Sequence, residues 1–155
     1  MPTIRRATLA DREAFIRLRL ALFRDLGELR DEADTPAITA ILEQYFIEEL
    51  PPGRFHAWLA CDDAGEAIGS GGLIFVQKPP MPSNDTGREA YLMNMYTAPS
   101  WRGCGVAREI VGVILDFARE AGISTVRLHA SIPGRPVYER AGFKANDAEM
   151  VITIQ

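Results

Sequence analysis

The sequence predicts a mixed α/β fold in which a central, mostly antiparallel sheet of about seven strands is flanked by four helices, in three layers. Two observations predict it. The 155 residues, 47% of them hydrophobic and 25% charged, suit one domain over residues 1–155, because single cores typically span about 100–200 residues. The hydrophobic periodicities then follow the order β-αα-βββ-α-β-α-ββ. That order does not alternate strictly, so a doubly wound parallel sheet fits poorly and a mixed sheet between helices fits better.

Each element has its own signal. Residues 3–6 form a short opening strand. Thr8 stands three residues before Asp11, a capping-box-like start with Asp in place of the usual Glu or Gln. Ala14, Leu18, Leu22 and Leu26, with Phe15 and Phe23, make a helical stripe that Gly27 ends. Residues 28–34 are acidic and loop-like. Asp34-Thr35-Pro36 opens a second helix, since proline is preorganised for the first helical position. Its apolar positions Ile38, Ile41, Leu42, Tyr45 and Phe46 run until Pro51-Pro52-Gly53.

Residues 55–61 and 67–76 are strands joined by a turn over 62–65. Gly69, Gly71 and Gly72 mark a bulge or a close backbone approach in the second of them. Residues 78–87, rich in Pro, Ser, Asn and Asp, are expected to form a substrate-side flap. A strand over 90–97 and a helix from about 105 to 121 follow, with Val106, Ile110, Val113, Ile114 and Phe117 inward. A strand over 124–130, a short helix over 134–141 stopped by Gly142, and strands over 143–145 and 150–154 complete the chain.

Charge and composition exclude several function classes. A net charge of −4 and a pI of 5.2 argue against a nucleic-acid partner, whose affinity comes largely from Lys and Arg on phosphates. No apolar run approaches the ~20 residues of a membrane span, so no membrane partner is expected. The opening residues lack the apolar core of a signal peptide, and the expected location is cytoplasmic. Cys61 and Cys104 have neither CxxC spacing nor a nearby His, so they form no disulfide framework and no metal site.

The informative segment is Met95-Tyr96-Thr97-Ala98-Pro99-Ser100-Trp101-Arg102-Gly103-Cys104-Gly105-Val106-Ala107. A strand runs into a tight turn, and two glycines precede a helix N-terminus. Such a place suits an anion: the first helical N–H groups lack partners, the helix dipole is positive there, and glycines let a phosphate approach the backbone. A Walker loop is excluded because the chain holds no Gly-Lys dipeptide. A Rossmann fingerprint fails because Arg108 stands where the third small residue belongs, and no carboxylate ends the strand over 124–130.

Arg102 through Ala107 read Arg-x-x-Gly-x-Ala, directly after a strand that ends in Tyr96-Thr97. This resembles the coenzyme A motif of the GNAT superfamily of acyl-CoA-dependent N-acyltransferases. Downstream, Gly134-Arg135-Pro136-Val137-Tyr138-Glu139-Arg140-Ala141-Gly142-Phe143 is similar to the last helix of that family, whose tyrosine precedes a Gly-Phe pair. The resemblance spans roughly residues 90–143. The sequence departs from the family at Ser131, where Asn is frequent, and at Gly134, where Ala is.

The resemblance implies a GNAT-like fold and an N-acetyltransferase that moves the acetyl group of acetyl-CoA, its cosubstrate, onto a primary amine in a ternary complex. It implies that the backbone of Met95, Tyr96 and Thr97 pairs with pantetheine amides, with the Met95 N–H near the acyl carbonyl as an oxyanion donor. The N–H groups of Arg102, Gly103, Cys104, Gly105, Val106 and Ala107 would hold the pyrophosphate. Arg102 and Arg108 would add charge, and Ser131 would hydrogen-bond the pantetheine arm. Tyr138 would protonate the leaving thiolate.

Other roles stay open. Glu28, Glu32, Glu89 and Asn94 are alternatives for relaying the amine's proton through water, while His56 and His129 read as structural. Cys104 lacks a His or acid partner for a nucleophilic role. The acceptor is an amine-bearing small molecule or peptide, and the acidic residues 28–34 hint weakly at a cationic one. A homodimer through the apolar terminal segment 150–154 is a further expectation of the family, and an acyl-CoA sensor without turnover is the alternative function.

Overall fold

The fold is that of a computed structural model describing residues 1–155. Strand β1 (Thr3–Arg6) leads into helices α1 (Arg12–Leu26) and α2 (Thr35–Glu49). Strands β2 (His56–Cys61), β3 (Ala67–Gln77) and β4 (Arg88–Thr97) follow, then helix α3 (Val106–Glu120), strand β5 (Val126–Arg127) and helix α4 (Arg135–Arg140). The strands form one sheet in the order β1-β2-β3-β4-β5. The first four pair antiparallel and β5 joins β4 in parallel, the mixed, mostly antiparallel sheet that the order of periodicities predicts. No helix is long and apolar enough to cross a membrane.

Side-chain alternation builds two cores, one on each face. All six residues of β2 are buried, because successive side chains of a strand point to opposite faces and both faces here are covered. Ala57, Leu59 and Cys61 meet Phe15, Leu18 and Phe46 of α1 and α2. Trp58 and Ala60 join Val106, Ile110 and Ile114 of α3 on the other face. In the aromatic corner of the first core, Phe15 packs edge-to-face with Phe46 and Phe55, which are tilted to each other, all with centroids 5.2–5.9 Å apart.

The structure corrects the sequence reading in several places. The sheet has five strands, not seven. The strand expected over 124–130 shrinks to Val126–Arg127, and 143–145 and 150–154 form no strand. Apolar content alone does not make a strand; a hydrogen-bonding neighbour is needed, and within one chain these segments have none. On α3, Val111 is buried and Val113 is 39% exposed. On α2 only Leu42 and Phe46 are buried, while Ile41 is 65% exposed. Residues 78–87 tie off the β3–β4 hairpin through Lys78 N–H to Gly87 O at 2.8 Å and a Met81–Asn84 bridge. They stand at the Arg88 end of a ten-residue strand, roughly 30 Å from its Thr97 end.

The glycines of β3 do mark a close approach. A Cβ on Gly71 would lie 2.6 Å from Ile110 Cγ2 and 2.7 Å from Ile114 Cδ1. Helix α3 therefore sits closer to the sheet than any side chain at 71 allows, which fixes where its N-terminus points. Gly112, on the outer side of the same helix, has nothing within 4 Å of its added Cβ. The two sites predict opposite effects of one methyl group. Gly71→Ala should lower stability by about 1–3 kcal/mol through overpacking, and Gly112→Ala should raise it by up to about 1 kcal/mol through helix propensity. Urea unfolding of both variants checks the pair; a neutral Gly71→Ala contradicts the close approach.

Candidate active site

Strand β4 is paired on both edges only at its start. β5 meets it at Ala90 and Tyr91, so from Leu92 onward the edge facing β5 has no strand neighbour. Its other edge is interrupted too. The ladder to β3 pairs Met93 with Gly72 and Tyr96 with Ser70, leaving Asn94 and Met95 opposite Gly71. This is a β-bulge, which bends the strand and re-aims its groups. Asn94 takes φ 59°, the one left-handed non-glycine residue in the chain. Two side chains hold it there: Ser70 Oγ donates to Asn94 O at 2.9 Å and Arg19 Nη1 donates to Asn94 Oδ1 at 2.7 Å.

Beyond β4 the chain turns at Pro99–Trp101 and enters the glycine segment. Gly103 (φ 77°) and Gly105 (φ 86°) are both left-handed, the conformation for which glycine is the default residue. Helix α3 begins at Val106, so the N–H groups of its first turn lack intrahelical partners. Arg102 braces this turn: its Nε donates to Thr97 O at 2.9 Å and its Nη2 to Asp25 Oδ2 of α1 at 2.7 Å. Asp25 thus offsets the Arg102 charge. Arg108 is exposed and has no carboxylate partner, and its Nη2 lies 3.8 Å from the place a Cβ on Gly105 would take.

These groups converge on one cavity of about 890 Å³. Met95, Tyr96, Thr97, Arg102, Gly103, Cys104, Gly105, Val106, Ala107, Arg108, Ser131 and Tyr138 all line it, so the residues to which the resemblance gives a role are brought together. Motif reading missed the wall opposite. Leu22, Asp25 and Leu26 of α1 and Arg140 of α4 also line the cavity. Leu22 and Leu26 lie on a stripe that reads as core, and only their incomplete burial, with Leu26 51% exposed, sets them apart.

On the α4 side, Ser131 and Gly134 depart from the family pattern together. Ser131 Oγ accepts the Gly134 N–H at 3.2 Å, and a Cβ on Gly134 would lie 3.0 Å from that oxygen. The missing methyl makes room for the cap. Tyr138 is partly buried beside Phe143, and burial pushes its phenol up from 10.0 to about 12. Its hydroxyl therefore stays protonated across the physiological range.

The carboxylates weighed as bases lie elsewhere. Glu89 is buried between Arg127 Nε and Lys78 Nζ, each 2.8 Å away, and their hydrogen bonds hold it down to about 2. Glu32 is taken by Arg24 at 2.7 Å and by Thr35 at 3.1 Å. Asp31 accepts the Ala33 N–H at 2.9 Å. Two of the four acidic side chains of the loop, Asp31 and Glu32, are thus spent on local structure. His56 sits among Phe75, Phe117 and Trp58 and bonds Arg6, where burial lowers its pKa; His129 is exposed beside Glu149 at 3.4 Å. Asp25 is the only carboxylate in the cavity lining, and Arg102 already holds it.

Known proteins resemble the chain along most of its length. The family model described as Acetyltransferase (GNAT) family matches residues 17–143. An aminoglycoside N(6')-acetyltransferase type 1 from Stenotrophomonas maltophilia is 31% identical over 121 residues, which are 78% of this chain and 70% of that one. A predicted acetyltransferase from Clostridium acetobutylicum, crystallised with acetyl-CoA, superposes with a TM-score of 0.89 at 31% identity, covering 99% of this chain and 96% of its own. A GCN5-related N-acetyltransferase from Ralstonia eutropha JMP134 gives 0.87 at 28% identity, with 99% of each chain covered.

The burial of Tyr138 is directly measurable. Of the four tyrosines, burial raises both Tyr138, to about 12, and Tyr45, so a near-ultraviolet titration of the folded protein should show late ionisation that Tyr138→Phe reduces by one phenol. An unchanged high-pH step in the variant contradicts the environment described for the phenol.

Proposed function

The chain belongs to the acetyltransferase (GNAT) family and is an acyltransferase; on that premise we propose that residues 1–155 act as one domain that transfers the acetyl group of acetyl-CoA to a primary amine in a ternary complex. The observation that carries this reading is the single cavity in which the unpaired edge of β4, the left-handed glycine turn and the Tyr138 phenol meet.

When bound, acetyl-CoA supplies a thioester-activated acetyl group. The first-turn N–H groups of α3 and the backbone of Arg102–Val106 suit its pyrophosphate, because unpartnered donors and the helix dipole both favour negative charge there. Arg108 and Arg140 add positive charge that no carboxylate of the chain offsets, whereas Arg102 serves as a brace. The open backbone of Met95, Tyr96 and Thr97 takes pantetheine amides as a strand takes a neighbour, and the Ser131 hydroxyl proton is left to donate to the same arm. The Met95 N–H stabilises charge developing on the acyl oxygen.

The amine attacks as its neutral form. A C–N bond forms as the C–S bond breaks, the leaving thiolate takes the Tyr138 proton, and water receives the proton shed by the amine and restores the phenol. No cavity carboxylate is free to act as base, so water fits that part better than Glu28, Glu32 or Glu89. A phenol in the cavity, at a place where a sensor needs no acid, also favours turnover over an acyl-CoA sensor.

Calorimetry with acetyl-CoA, followed by thiol release across a panel of amines, tests the reading. Tyr138→Phe should lower kcat by about 100-fold or more while leaving the acetyl-CoA Kd within about twofold. Full kcat in the variant removes the acid role, and no acetyl-CoA binding by folded protein removes the function.

The same reading includes a homodimer in the cytoplasm. Met150, Val151, Ile152 and Ile154 are 81–93% exposed, although their composition is that of a strand. The root of this segment lies beside β5, where Glu149 reaches His129 at 3.4 Å, and β5 pairs with only one neighbour. A second copy offers the partner that one chain lacks, in a reciprocal two-fold contact. Light scattering should give twice the 17.1 kDa chain mass, and Ile152→Asp should give the monomer. A monomeric parent protein overturns the dimer.

A further inference from the structure

Besides Arg108 and Arg140, one further cation near the site is left without a counter-charge. Arg19 of α1 is partly buried, and its guanidinium lies 4.7 Å from the Phe23 ring centroid. Only one of its five N–H donors has a partner in the chain, the Asn94 Oδ1 at 2.7 Å. No carboxylate pairs with it, unlike Arg5, Arg12, Arg24, Arg102 and Arg127. Removing a charge from water without a partner is unfavourable, and the burial indeed weakens the hold of Arg19 on its proton.

The neighbouring amide repeats the imbalance. Asn94 is 4% exposed, and its Nδ2 is a buried donor with no acceptor. Donors therefore exceed acceptors at the bulge, one residue before Met95. Holding Asn94 Oδ1 requires only one N–H, which a neutral Gln amide supplies as well. A guanidinium with four spare donors suits a planar anion taken two-pronged. Arg19 stands three residues before Leu22 on α1 and bonds Asn94, the neighbour of Met95; Leu22 and Met95 both line the cavity, so Arg19 lies just outside that lining, next to Met95.

We infer that Arg19 binds a carboxylate on the acceptor, so that the substrate is an amino acid or a similarly small aminocarboxylate rather than a polycation. This rests on the transferase reading above. A single uncompensated cation matches one carboxylate and repels polyamines and aminoglycosides. With the carboxylate held at Arg19, the amine of the same small molecule reaches the acyl group beside Met95.

The test is thiol release from acetyl-CoA with the common L-amino acids, their carboxamides and a set of polyamines, for the parent protein and Arg19→Gln. Amidation lowers the basicity of the amine, which favours the amide, so a preference for acids reports recognition rather than reactivity. Acids should exceed their amides by about tenfold or more in kcat/KM, and Arg19→Gln should bring that ratio to within about threefold, chiefly through the KM of the acids. Unchanged acetyl-CoA affinity shows that the variant is folded.

Equal turnover of acids and amides, or a preference that survives Arg19→Gln, overturns the inference. Turnover of polyamines alone overturns it as well and leaves the transferase reading standing. If no amine releases thiol, the transferase reading fails, and calorimetric titration of the amino acids into the coenzyme A complex decides Arg19 separately. Binding that is lost in Arg19→Gln supports the carboxylate site, and absence of binding overturns it.

Discussion

Strand β4 hydrogen-bonds on both edges only where β5 reaches it, at Ala90 and Tyr91. Beyond that point one edge has backbone donors and acceptors with no neighbour, and the bulge at Asn94 and Met95 turns the strand further from its ladder. Unpaired backbone groups facing a cavity are what a ligand with amide groups can satisfy. The cavity, the open edge and the position of α4 all follow from this early parting of β4 and β5, since the chain after β5 lies across a gap and not alongside a strand.

The parting is maintained by packing as much as by hydrogen bonds. Gly71 lets Ile110 and Ile114 press against β3 directly behind the bulge, which sets the level at which α3 starts. Ser70 and Arg19 then fix the left-handed Asn94 from two directions. Arg102 joins the turn to both β4 and α1 through Thr97 and Asp25. The result is a rigid frame around an opening, with the free positive charges Arg108 and Arg140 in its lining and Arg19 next to it beside Asn94, in an acidic protein. Net charge describes the chain as a whole and says little about such a local arrangement.

Much of this was legible in the residues, for identifiable reasons. The glycine turn was readable because left-handed backbone before a helix calls for glycine, and Gly103 and Gly105 stand two apart ahead of an amphipathic helix. The β3 bulge was readable because a strand with glycines at 69, 71 and 72 cannot pack by side chains alone. The α1 wall was not. Leu22 and Leu26 have the spacing of core residues, and nothing local tells a leucine that fills a core from one that lines a cavity. The last strands differ for a related reason: Phe143 and the β-branched run in 150–154 have strand-like composition, but pairing is a property of a neighbour, not of a segment.

Spacing and residue type alone determined that the chain alternates between strand and helix in a mixed order, that a glycine turn precedes one helix, and that a tyrosine follows at a family-like distance. These are local properties, set by steric preference and periodicity within a few residues. Only the tertiary structure decided that Asn94 and Met95 bulge opposite Gly71, that Asp25 neutralises Arg102 while Arg108 stays free, and that Glu89 is spent on Arg127 and Lys78. Each of those outcomes joins residues distant in sequence. Charge partners and open edges are assigned by proximity in space, which no spacing rule along the chain encodes.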